Sequence, residues 1–126
     1  MIDLSVLLLL AAQLSAVPAA PPPAVISEQT RFDIRCMLAS QSGADSTDGV
    51  TKMGLTLATM FYFGRIDAVL SGDPLTEVME AEGKAIQGKS LDPLLVECGE
   101  FMKRRGELMQ EVAGQLDARE KARALR

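Results

Sequence analysis

From Val50 to Leu70 the chain reads VTKMGLTLATMFYFGRIDAVL. Met53, Leu57, Met60, Phe61, Gly64 and Ala68 recur at intervals of about three and four, and Leu55, Thr59, Tyr62, Ile66 and Val69 form a second row beside them. Rows with that spacing lie along helix faces, because a turn takes 3.6 residues. Two apolar rows leave little polar circumference, and a helix that is apolar nearly all round is a buried one. The spacing predicts a helix over 50–71 as the central element of an all-α fold. Arg65 and Asp67 interrupt the run and argue against a membrane span. Two residues apart, they point to different sides and do not pair with each other. Arg65 and Asp67 are therefore candidate buried charges, each needing a partner, because an isolated buried charge is costly. A structural ion pair is the simpler role for Arg65, ahead of a ligand site.

Working outward, Phe32, Cys36 and Ala39 share a face, with Ile34, Met37 and Leu38 beside them and Ser27 as the N-cap candidate. A first helix is expected over 27–41. It ends in Ser40-Gln41-Ser42-Gly43-Ala44-Asp45-Ser46-Thr47-Asp48-Gly49, which is loop by composition. On the other side, Gly72-Asp73-Pro74-Leu75 and Leu91-Asp92-Pro93-Leu94 begin two helices in the same way. Each places aspartate at the N-cap and proline at the first helical position. The third helix, 74–87, buries Leu75, Val78, Met79 and Ile86 and exposes Glu77, Glu80 and Lys84. The fourth, 92–118, repeats apolar positions at Cys98, Met102, Met109, Val112 and Leu116, with Phe101 and Leu108 flanking, before a charged tail over 119–126. Strand patterns are nearly absent. The fold expected is a compact four-helix bundle over 28–118.

The N-terminus points to export. Leu4-Ser5-Val6-Leu7-Leu8-Leu9-Leu10-Ala11-Ala12 is an apolar core too short to span a bilayer, and Val17 and Ala19 suit cleavage between Ala19 and Ala20. Residues 1–19 read as a signal peptide and 20–27 as a Pro/Ala linker. The n-region carries Asp3 instead of the usual positive charge, so either the start lies upstream or the α-amino group is the only positive charge; an uncleaved anchor is the alternative to a signal peptide. An exported protein is expected, periplasmic first and extracellular second. In that setting two cysteines read as one bridge, Cys36–Cys98, stapling the first helix to the last. The closed loop is long, and chain entropy makes such a bridge worth ~4 kcal/mol.

The charge is uneven. The whole chain carries −4. Residues 20–102 hold six Lys/Arg against twelve Asp/Glu, whereas 103–126 hold seven against four. An acidic body with a basic end follows. Neither nucleic acid nor a membrane is an expected partner for so mild a net charge. Lys103, Arg104 and Arg105 are candidates for a partner surface, with a solvated helix face as the plainer reading.

Catalytic signals are thin. The chain has no His, Asn or Trp, so the commonest general base and zinc ligand are missing and N-glycosylation is excluded. Gly83-Lys84-Ala85-Ile86-Gln87-Gly88-Lys89-Ser90 fits the phosphate-loop pattern. Gly83, Gly88, Lys89 and Ser90 would then hold phosphate and magnesium. The residues before it read as helix where that loop needs a strand, and a helix C-terminus capped by Gly88 fits better. Glu77, Glu80 and Glu82, or Glu97 and Glu100, could do acid–base work, yet solvated helix faces explain them. Asp45 and Asp48 do not match a calcium loop. No catalytic set, metal or cofactor is expected.

A signal peptide, a short helical body and one long-range disulfide resemble two kinds of bacterial envelope protein. One is the HdeA-type acid-stress chaperones. The other is the Tai-type immunity proteins, which neutralise secreted amidase toxins and whose central glycine-containing helix the segment Phe63-Gly64-Arg65-Ile66-Asp67-Ala68 resembles. Together these features imply a non-enzymatic protein-binding domain, either an inhibitor of one partner or a subunit of a complex. The alternative is an acid-activated chaperone that opens to expose Met and Phe. A more remote one is an enzyme or nucleotide binder using residues 83–90.

Overall fold

The computed structural model describes residues 25–126, so the expected signal peptide and most of the linker lie outside the described residues. Four helices follow one another: α1 Glu28–Asp45, α2 Gly49–Asp67, α3 Gly72–Ile86 and α4 Asp92–Ala124. No strand occurs among the described residues. The expected all-α fold of four helices is present, and Cys36 of α1 is bonded to Cys98 of α4 across a sequence separation of 62.

α1 opens at Ser27, whose hydroxyl accepts from the Thr30 amide at 3.1 Å, satisfying one of the orphan donors of the first turn. It does not stop at residue 41. Ser40 and Ala44 are buried one turn apart on the face that already carries Cys36 and Met37, and tertiary burial outweighs the loop composition of that stretch. Gly43 shows how. A Cβ there would lie 3.0 Å from Leu55 Cδ1, so its bare backbone is what admits α2 so closely. The helix ends where the Ser46 hydroxyl donates to the Ser42 and Gly43 carbonyls.

The central element is α1, not α2. All three other helices pack against α1. The core is Ile34, Cys36, Met37, Tyr62, Ile66, Val78 and Cys98, with Phe32, Phe61, Phe101 and Met102 packed around it. α2 sends only Ala58, Tyr62 and Ile66 into full burial. Its two apolar rows have separate fates. The row of Leu55, Thr59, Tyr62 and Ile66 turns inward, whereas Met53, Leu57, Met60 and Gly64 turn to solvent. No other element among the described residues covers the second row.

α3 and α4 begin near the expected places, but neither N-cap, Ser71 or Leu91, makes a side-chain cap hydrogen bond. Asp73 and Asp92 sit in the first turns instead, where a negative charge is favoured by the helix dipole. α4 outlasts its expected end at 118 and runs to Ala124. It lies antiparallel to α1 and parallel to α2. Near its start Leu95 and Leu55 both approach Gly43; one turn on, the Tyr62 hydroxyl donates to the Cys98 carbonyl at 2.7 Å; further on, Phe101 meets Arg65. Residues 103–126 are all exposed. They project past the end of the bundle where α1 begins and α2 ends.

Candidate partner-binding surface

Three features offer themselves as sites: a charged hub at the start of α1, the solvent face of α2, and the free half of α4.

The hub begins with Asp33, a side chain only 5% exposed. Arg65 Nε donates to its Oδ2 at 3.0 Å and Gln29 Nε2 to its Oδ1 at 2.9 Å. The Arg65 guanidinium also lies over Phe101, 4.7 Å from the ring centroid, and 5.9 Å from that of Phe61. Stacking and ion pairing together hold the head group in one place. Arg65 thus has a carboxylate partner that sequence spacing did not name, from a different helix and 32 positions away. Asp67, taken from the sequence as a second buried charge, is exposed at the last position of α2, because it lies off the face that α2 turns toward α1. A groove of about 580 Å³ runs over the hub between Ser27, Thr30 and Asp33 on one side and Gly64, Arg65 and Val69 on the other.

A second buried carboxylate, Glu82, ties α3 to α1. Arg31 Nη1 donates to its Oε1 at 2.9 Å and Arg35 Nη1 to its Oε2 at 3.0 Å, while Arg35 Nη2 reaches Glu28 at 2.7 Å. Burial pushes the Glu82 carboxyl up, but the two guanidinium groups outweigh it and hold the group below its ordinary value. The sequence suggested Glu82, with Glu77 and Glu80, as an acid–base candidate better explained by a solvated helix face. Glu77 and Glu80 are exposed, and Glu80 pairs only with Lys84, one turn on. The missed signal is that Glu82 falls on the stripe of Leu75, Val78 and Met79.

The phosphate-loop residues are placed at a helix end. Gly83 lies inside α3, and Gly88, with φ +74°, follows its C-cap Gln87. That is the left-handed position glycine takes after helices. Lys89 and Ser90 are exposed in the short link to α4. No group of acidic or sulfur ligands able to hold a metal occurs among the described residues. Lys103, Arg104 and Arg105 all face solvent, and Arg104 borders a shallow cleft with Glu28, Phe32 and Arg35.

The solvent face of α2 is the least ordinary surface. Met53 is 64% exposed, Leu57 58% and Met60 66%, with Val50 and Phe63 alongside. Lys52 is the one charged residue between Gly49 and Gly64. Contiguous apolar patches left facing water mark contact surfaces for a protein, a membrane or a ligand. α4 repeats the theme, with Leu108, Met109, Val112 and Leu116 all substantially exposed along its free half. No helix among the described residues is long and apolar enough to cross a membrane. Comparison with protein families, curated proteins and solved structures found no match to this chain.

Proposed function

We propose that the chain is a non-enzymatic, exported protein-binding domain whose solvent face of α2 receives an apolar helix or strip from another polypeptide chain. The observation that carries this reading is the uncovered row Val50, Met53, Leu57, Met60 and Phe63. A helix with a second apolar row facing water loses the hydrophobic stabilisation that covering the row would supply. The disulfide favours the same setting, since such bridges persist in oxidising compartments. The test is capture of partners by the tagged chain at pH 7, beside its Leu57→Glu variant. One partner in stoichiometric amount, lost with Leu57→Glu, is the expected result. Equal capture by both chains removes the α2 face from the proposal.

A second reading, an acid-activated chaperone, draws on the Glu82 clasp. A carboxylate whose folded value is depressed stabilises the fold above its unfolded value and loses that contribution as pH falls through the folded one. Protonating Glu82 would loosen α3 and uncover Val78, Met37 and Leu38. Capture of many unrelated proteins near pH 3 and none at pH 7 would favour this reading over the first. Circular dichroism unchanged down to pH 2 would end it.

A further inference from the structure

We infer that the partner of the α2 face is the free half of α4 from a second copy of this chain, so that two copies exchange their projecting helices; this rests on the reading of α2 as a binding face. The free half needs a partner of its own. It runs about 20 residues beyond the bundle, contains Gly106 and Gly114, and is exposed at every position. Isolated helices of that length are marginal in water, and each glycine weakens them further. Its apolar row is Met109, Val112 and Leu116, and the same face carries an arginine at each end, Arg105 and Arg119.

The α2 face matches this row in length and in charge. The apolar row Val50 to Phe63 spans 13 positions, about 20 Å at 1.5 Å per residue, and Arg105 to Arg119 spans 14, about 21 Å. Beyond the two ends of the α2 row stand Asp48 and Asp67, both exposed and in no ion pair among the described residues; they are 19 positions, about 28 Å, apart, so each arginine side chain would have to reach about 4 Å past its own end of the α4 row. Direction agrees as well. α4 leaves the bundle at the end where α2 finishes. In a copy rotated by two-fold symmetry with the same end facing it, α4 runs antiparallel along the opposing α2. Arg105 then meets the partner's Asp67, and Arg119 the partner's Asp48. The exchange is reciprocal and closes, as a two-fold assembly must. It also joins the basic end of each chain to the acidic body of the other.

Sedimentation velocity on the purified, disulfide-bonded chain tests this. The wild type is expected as a dimer, and Leu57→Glu and Val112→Glu each as monomers that keep the cooperative urea unfolding of the bundle but lose part of the helical circular dichroism, as the uncovered ends of α4 fray. Mixing the two variants is expected to restore a dimer, because one intact α4 row then meets one intact α2 row. Pairing Arg105→Glu with Asp67→Arg is expected to recover the dimer that either change alone weakens at least tenfold. A wild-type monomer overturns the exchange. If that monomer still captures a different protein through Leu57, the α2 face remains a binding site and only the second copy is excluded. A dimer lost with Val112→Glu but kept with Leu57→Glu also overturns it, in favour of α4 pairing with α4.

Discussion

Tyr62 is the only tyrosine in a chain without tryptophan, and it is fully buried with its hydroxyl bonded to the Cys98 carbonyl. Burial, then the nearby Asp33 charge, pushes its ionisation up to about 12. Ultraviolet titration therefore reads this residue alone: the folded chain should titrate near 12, and the urea-unfolded chain near the ordinary value of 10. A raised folded value means Tyr62 stabilises the fold fully below about 10 and ceases to do so as pH climbs through about 12. A folded midpoint at 10 would show that the ring is open to water. Ser40 gives a contrasting case. Its hydroxyl is buried with no hydrogen-bond partner among the described residues, so Ser40→Ala should stabilise by about 1 kcal/mol in urea unfolding. Replacing Arg65 with alanine leaves Asp33 buried without its charge partner and should cost about 3 kcal/mol, measured in the same way.

At the scale of elements, the helices were legible because their apolar spacing is strong. Ser27 capped α1 as its position suggested, and Cys36–Cys98 followed from the cysteine count and the expectation of an oxidising compartment. Two things were not legible, for the same physical reason. The continuation of α1 through Gly43 and the outward turn of Met53, Leu57 and Met60 depend on which helices touch, and spacing within one helix carries no record of its neighbours. The hub was half visible. Arg65 announced a need for a carboxylate, but Asp33 reads as an ordinary polar position until α2 is laid across α1. The Glu82 clasp makes its own prediction at this scale. Glu82→Gln should cost about 1–3 kcal/mol near neutral pH, discounted for the partial exposure of both arginines. It should also flatten the loss of stability that the wild type shows on acidification below its unfolded value of about 4.5. An unchanged acid slope would mean that other carboxylates govern acid unfolding.

For the whole molecule, the disulfide and the uncovered surface pull in opposite directions. A domain of about a hundred residues has a modest core, and here α4 brings to it Cys98 itself, with Leu94, Phe101 and Met102 packed beside it. The bridge between α1 and α4 therefore matters more than it would in a larger protein. Reducing it should lower the stability in urea by about 4 kcal/mol, the value chain entropy assigns to so long a loop. A loss under 1 kcal/mol would show that packing alone holds α4 in place.

The most direct test of the α2 face as a binding surface is mild peroxide footprinting of the six methionines among the described residues, in extract of the cells that make the protein and in the urea-unfolded chain. Met37 is buried and should resist oxidation when folded, whatever the chain binds. Met53 and Met60 discriminate, because the free fold leaves them about two-thirds exposed. Strong protection of both in extract, against rapid oxidation in the unfolded chain, is the expected result. Oxidation of both at the unfolded rate would mean that nothing covers α2, and would contradict its assignment as the surface through which this protein acts.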